Sequence, residues 1–192
     1  MTFDNYTIVI TGLGGQGLIR LLQILGQAIV THGYKVITSE THGLSQRGGK
    51  VTCFLRFGIK LNAPIPLVGK ADMIIALEES SIIDVLNYAK NDKTTKLIIS
   101  MYEKHDISKK YPSLESLLNI LYENSDNIYF IPAMEIALKH TKNLKTMNIV
   151  ILGFILKFLP LNHTIVEGII KQNFSGEVLE MNLNAFNEAF NL

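Results

Sequence analysis

Between Glu40 and Val51 the chain reads ETHGLSQRGGKV, twelve residues holding an acid, a histidine, two hydroxyls, an amide, an arginine and three glycines. So polar and glycine-rich a run is costly in backbone entropy and offers little to a core. It lies between two apolar segments of strand character, where loops held by a rigid scaffold carry binding groups. A second such loop, Gly12 to Gly17 (GLGGQG), follows the first strand-like segment, and the two loops are expected to sit side by side. Arg47, followed by Gly48 and Gly49, can lie against a carboxylate, a phosphate or a partner backbone, with Ser45 and Gln46 as neutral hydrogen-bonding groups. His42 could titrate near neutral pH, but a lone loop histidine reads first as a hydrogen-bonding or interface residue. The chain has three arginines, Arg20, Arg47 and Arg56, against fifteen lysines. Arg20 is expected to be solvated and Arg56 to pair with an acid.

Gly12, Gly14 and Gly17 satisfy G-x-G-x-x-G between a strand and a helix, the context in which glycines permit a tight turn and the helix start offers N–H groups to an anion. Glu40 then stands roughly where a ribose-binding acid would. This gives the alternative reading, a stand-alone NAD- or FAD-binding Rossmann-type module. Two features weaken it: Glu40 lies beyond the usual spacing of about 20 residues, and Gln16 places a long amide beside the third glycine. A tight turn with no ligand is the bland alternative. No G-x-S-x-G, Walker A, H-E-x-x-H or C-x-x-C motif occurs, the five histidines lack metal-ligand spacing, and no nucleophile–base pair can be read. Catalytic residues are therefore unassigned and no metal site is expected.

The elements that position these loops alternate between strand and helix. Thr7–Thr11 is a continuous β-branched strand, as in a sheet buried on both faces. Leucines and isoleucines from Leu18 to Ile29 recur at helical spacing up to Gly33, about 24 Å of helix. Tyr34–Thr38 completes a βαβ unit, expected to cross over right-handed. Further strands are expected at Val51–Phe57, Met73–Leu77, Lys96–Ser100 and Ile128–Ile131, with helices at about Ser81–Ala89 and at Ser113–Glu123, the latter capped by Ser113. From Met134 the chain reads as helical: Met134–His140, Lys145–Phe158, Thr164–Asn173 and Val178–Phe190. Thr164 and Glu167 stand at capping-box spacing. The pattern predicts an α/β fold, a three-layer arrangement with a mainly parallel sheet and a helical C-terminal tail over one face or edge. No repeat or linker divides the chain.

Composition sets limits. With 192 residues, 47% hydrophobic, and a mean hydropathy of +0.23, one domain with a substantial core is expected. A net charge of +1 without a basic run does not support binding to nucleic acid or an anionic membrane. Cys53 is the only cysteine, so the chain alone cannot complete an iron–sulfur cluster or an internal disulfide. The opening MTFDNYTIVI lacks the basic region of a secretory leader. The longest apolar run, Ile149 to Leu156, is too short to span a bilayer. A soluble, cytoplasmic protein is expected.

The motifs GLGGQG, ETHGLSQRGGKV, KADMIIALE, IPAMEIA and NIVILG followed by LPL resemble, in order and spacing, the gamma-type subunit or domain of the 2-oxoacid:ferredoxin oxidoreductases, and within them the indolepyruvate type. The resemblance runs from about residue 6 to 175. It implies a Rossmann-like domain over residues 1–192, part of a complex that decarboxylates a 2-oxoacid (an arylpyruvate in the indolepyruvate type) on thiamine diphosphate. Such a complex passes electrons through iron–sulfur clusters to ferredoxin and releases an acyl-CoA. With one cysteine and no G-D-G…N motif, this chain would hold neither cofactor. A larger partner would carry thiamine diphosphate and the [4Fe-4S] clusters, coenzyme A would be co-substrate, and the chain alone would be inactive. The signature loops fall on Gly12, Gly14, Gly15, Gln16 and Gly17, and on Glu40, His42, Ser45, Gln46, Arg47, Gly48 and Gly49. These residues are expected near the substrate or cofactor, or at the partner interface. Asn148 could hydrogen-bond one of the loops, although an amide near a helix start reads first as exposed. NAPIP replaces an expected serine-proline turn, and the last fifteen or so residues match no motif of the family.

Overall fold

The computed structural model describes residues 3–42, 49–61, 63–103 and 112–192, with the His42 side chain outside that set. Six strands form one sheet in the order β2-β3-β1-β4-β5-β6. They are β1 (Tyr6–Leu13), β2 (Lys35–His42), β3 (Lys50–Gly58), β4 (Met73–Ala76), β5 (Lys96–Ser100) and β6 (Asn127–Ile131). Pairing is parallel across β1-β4-β5-β6 and antiparallel where β3 meets β1 and β2. The mainly parallel sheet expected from the alternating pattern is present, but β2 does not lie beside β1. The β2–β3 connection, residues 43–49, is too short for a parallel crossover, which takes a dozen residues or more. The chain therefore folds back, and β3 occupies the place next to β1.

Side chains alternate across the sheet as the pleat requires. Ile8, Ile10, Cys53, Leu55, Met73, Ile75 and Ile98 enter one core. Val9, Phe54, Ile74, Ala76, Leu97 and Ile99 enter the other. The first core is covered by α1 (Leu18–Thr31), α3 (Ala133–Thr141), α4 (Met147–Ile155), α5 (His163–Asn173) and α6 (Gly176–Phe190). The second is covered by a 3₁₀ stretch, Glu79–Tyr88, and by α2 (Leu114–Asn124). This makes three layers with the sheet in the middle.

The C-terminal helices do more than form a tail. All nine residues of α4 are buried, as expected for a helix apolar on every side. Each fully buried Ile, Val or Leu there stabilises by about 1.5–3 kcal/mol. Gly153 of α4 lies with its Cα against the Phe186 carbonyl of α6, so a side chain there would push the two helices apart. α4 is thus enclosed between the rest of its core and α6.

Two local expectations change. The segment after β4 is 3₁₀ because the Glu78 carbonyl accepts both the Ser81 N–H at 3.1 Å and the Ser81 hydroxyl at 2.6 Å, an i to i+3 closure. At α5 the cap is Asn162, whose Oδ1 accepts from Thr164 and Ile165 N–H, so Thr164 lies inside the helix and no Thr164–Glu167 capping box forms. Asn162 is fixed from a distance, since its own N–H donates to His32 Nε2 at 2.7 Å, just past the end of α1. At α2 the expected Ser113 cap is found.

Candidate functional site

The C-terminal ends of β1, β2, β4, β5 and β6 share one edge of the sheet, and the antiparallel β3 starts there. Both signature loops leave from this edge. They meet at one backbone hydrogen bond: Gly14 N–H donates to the Gly49 carbonyl at 2.9 Å. The bond continues the β1–β3 ladder past its last pair, Leu13 with Lys50. The glycine loop and the foot of the polar loop are therefore one unit. Ser45, Gln46, Arg47 and Gly48 lie outside the described residues, as does the side chain of His42, whose backbone pairs with Val51 at the end of β2.

Gln16 is the keystone of the glycine loop. Its side chain is nearly buried; Oε1 accepts the Leu13 N–H at 2.6 Å, and Nε2 donates to the Leu77 carbonyl at 3.1 Å. One amide thus ties the end of β1 to the end of β4. A Cβ on Gly12 would lie 2.6 Å from Gln16 Oε1, so the space that Gly12 leaves is taken by the chain's own glutamine. Gly15, at φ 97°, forms the open tip of the turn. Gly17, at φ 83°, starts α1 without a side-chain cap. A Cβ there would meet Asn148 Nδ2 at 2.5 Å; this amide donates to the Gly17 carbonyl at 3.0 Å. Asn148 is therefore buried and clamps the loop, the reading that its position near a helix start had made secondary.

Glu40 stands elsewhere. It shares a row with Cys53 and Ile10 on the α1 side of the sheet, two strand spacings or about 10 Å from β1. It lines a groove of about 720 Å³ with Ile19, Gln23 and Ile165, between α1, β2 and α5. It is not at the glycine loop, where a ribose-binding acid would have to be. With Gln16 filling the loop from within, the crest does not fit a dinucleotide pyrophosphate.

Around the crest, the Lys50 ammonium pairs with Asp84 of the 3₁₀ stretch. Glu78 accepts from Ser81 N–H at 2.9 Å and from the Ser80 hydroxyl. Burial, then the charges of Glu103 and Glu78, raise the Glu79 carboxyl above its ordinary value. Cys53 is fully buried within β3, and burial together with Glu40 pushes its thiol up to about 12. That environment opposes the thiolate that cluster ligation requires, and among the described residues no group of three His, Cys, Asp or Glu could hold a metal ion. The chain's own donors do not fit an iron–sulfur cluster. Arg56 donates to the Ala63 carbonyl rather than to an acid, and its buried Nε has no partner among the described residues. Arg20, at the surface, donates to Asn173 Oδ1 at 2.9 Å and lies over the Phe174 ring. Among the described residues, no helix is long and apolar enough to cross a membrane.

A parallel core β1-β4-β5-β6 flanked by helices, with binding loops at the strand ends, defines an α/β protein of Rossmann-like build. The chain belongs to the pyruvate ferredoxin/flavodoxin oxidoreductase family, whose model matches residues 7–192. It is 33% identical to an indolepyruvate oxidoreductase subunit IorB of Archaeoglobus fulgidus, over 96% of this chain and 93% of that one. It is 31% identical to a pyruvate/ketoisovalerate oxidoreductases common subunit gamma of Pyrococcus abyssi, over 93% and 92%. In fold it is similar to the 2-oxoglutarate:ferredoxin oxidoreductase of Magnetococcus marinus, solved with 2-oxoglutarate, coenzyme A and succinyl-CoA bound. That match has a TM-score of 0.73 at 20% identity, covering 97% of this chain and 30% of that one.

Proposed function

We propose that this chain is the small, cluster-free subunit of a cytoplasmic 2-oxoacid:ferredoxin oxidoreductase, of the arylpyruvate type, and that it forms one gamma-type domain. The observation that carries the reading is the Gly14–Gly49 hydrogen bond, which joins both signature loops into one crest at the strand ends. The larger partner holds thiamine diphosphate, which supplies decarboxylation, and the iron–sulfur clusters that reduce ferredoxin. This chain's part is to shape the site. Gln16 and Asn148 hold the glycine loop rigid from below, and Gly49 fixes the foot of the polar loop. His42, Ser45, Gln46, Arg47 and Gly48 then border the partner's active-site entrance, where Arg47 meets an anionic group of the oxoacid or of coenzyme A. A guanidinium suits that task because its fork binds a carboxylate or phosphate bidentately.

Support comes from the full-length similarity to indolepyruvate oxidoreductase subunits and from the misfit between this chain and a bound cluster. The test is an anaerobic pull-down of the tagged chain from its native cells. A large partner bearing thiamine diphosphate, iron and sulfide, with arylpyruvate turnover only in the complex, is the expected result. A chain that comes down alone and binds NAD or FAD would overturn the reading. In the complex, Arg47→Lys is expected to raise KM about tenfold or more; unchanged assembly and turnover would remove the bidentate role.

A further inference from the structure

A cavity of about 540 Å³ lies at the edge of the sheet opposite to the crest. That volume falls within the range of small-ligand sites. Its floor is a row across the strands: Arg56 of β3, Thr7 of β1 and Asp72 just before β4. Its wall is the β3–β4 connection, from which Ala63, Ile65, Pro66 and Leu67 line it. Two side chains tie that wall to the sheet. Arg56 Nη1 donates to the Ala63 carbonyl, and Ser39 Oγ donates to the Pro64 carbonyl at 3.2 Å.

Arg56 is half-buried. The wall takes Nη1, on the Cδ side of the guanidinium, so the edge formed by Nε and Nη2 is not spent there. On that edge Nε is buried and has no partner among the described residues. A buried donor on a charged group is costly to leave unpaired. Asp72 in the lining does not relieve it, because Lys90 holds its Oδ1 at 2.6 Å and the Thr7 N–H its Oδ2 at 2.7 Å. Lys70 adds a further positive charge to the lining. The Nε–Nη2 edge is a fork that takes two oxygens of one carboxylate or phosphate. Asp72 decides between them, since its charge opposes a dianion more than a monoanion. The wall is apolar and open to water: Ile65 is 52% and Leu67 75% exposed. Apolar side chains gathered around such a recess mark a binding groove.

We propose that this cavity binds an aliphatic monocarboxylate, its carboxylate on the Nε–Nη2 edge of Arg56 and its chain along Ile65, Pro66 and Leu67. The glycine crest takes no part, and the proposal does not rest on the oxidoreductase reading.

Calorimetric titration of the full chain with hexanoate, acetate and hexan-1-ol tests it. Hexanoate is expected to bind about tenfold tighter than acetate or more, because its longer chain covers the wall. Hexan-1-ol, of the same length but uncharged, is expected not to bind. Arg56→Lys keeps the charge and removes the fork, and is expected to weaken hexanoate binding about tenfold or more. Leu67→Glu alters an exposed wall residue, which spares the fold, and sets a carboxylate beside the ligand; it is expected to weaken binding about as much. No hexanoate binding by the native chain, acetate or hexan-1-ol binding as tightly as hexanoate, or undiminished affinity in either variant would each overturn the proposal.

Discussion

Gly12→Ala isolates what the glycine loop is for. The added Cβ would lie 2.6 Å from Gln16 Oε1 and 3.2 Å from Leu77 Cβ. The leucine contact needs a shift of only a few tenths of an ångström; the glutamine contact cannot stand. Gln16 must swing away, and its two hydrogen bonds go with it. Each is worth about 1 kcal/mol net, and the buried Leu13 N–H and Leu77 carbonyl left behind cost more than the bonds themselves, so the loss is about 2–4 kcal/mol. Reduced freedom of the unfolded chain returns about 0.5 kcal/mol. The net loss of about 1.5–3.5 kcal/mol lowers Tm by about 3–14 °C in a protein of this length. Urea unfolding followed by circular dichroism measures it, and the same substitution in a Gln16→Ala background completes a double-mutant cycle. There the obstacle is gone, and Gly12→Ala is expected to cost less than about 1 kcal/mol. If the penalty is the same in both backgrounds, Gln16 is not what Gly12 makes room for. Should Gly12→Ala leave stability intact, the glycine's space serves something outside the chain and the keystone account fails.

Two carboxylates are expected to respond to pH with opposite sign. Glu79 is raised by burial and by Glu103 and Glu78, so the folded state disfavours its ionised form; the penalty is absent at low pH and complete above the folded pKa. Glu79→Gln is therefore expected to stabilise the chain at about pH 8 and to do nothing at about pH 3, measured by urea midpoints across that range. Glu188 is lowered by hydrogen bonds from Lys139 and then His140, so its contribution is present above the ordinary carboxylate value and lost as pH falls through the folded one. Glu188→Gln is expected to destabilise at neutral pH, with the difference from the native chain closing in acid; a pH-independent difference refutes the ionic account. Cys53, fully buried and with its thiol pushed up to about 12, is expected to resist thiol reagents in the native chain at about pH 8 and to react fully once unfolded; prompt native labelling would contradict its placement.

The parts of the fold that were legible in the sequence are those where local chemistry and packing agree. β5 is legible to the residue because KLIIS is a short apolar strand buried between neighbours. The cap of α2 was legible because Ser113 needs only its own helix. What escaped depended on distant groups. The cap of α5 is placed by His32, 130 residues earlier, and Arg56 finds a carbonyl on a following turn instead of an acid. The position of β3 follows from the short connection after His42, a hairpin length whose consequence for strand direction the general expectation of a mainly parallel sheet does not specify. At the site, adjacency of the two loops was legible, and Gln16 stood out as an amide among glycines. Its partners Leu77 and Leu13 could not be read, since a backbone acceptor leaves no trace in residue type.

The intervening β3 also affects the order in which the chain can close as it is made. When residues through β2 have emerged from the ribosome, β1 and β2 exist, but each lacks its strand neighbour: β3 comes next, and β4, the other neighbour of β1, follows later still. The opening strand–helix–strand piece cannot seal itself as a parallel pair. It waits until residue 58 has been added, and then β3 docks to both strands at once, coupling the local closure of a hairpin to a contact across about fifty residues. Termination before β3 would leave a fragment whose most apolar strand has two open edges, the kind of intermediate that a holdase captures or that aggregates.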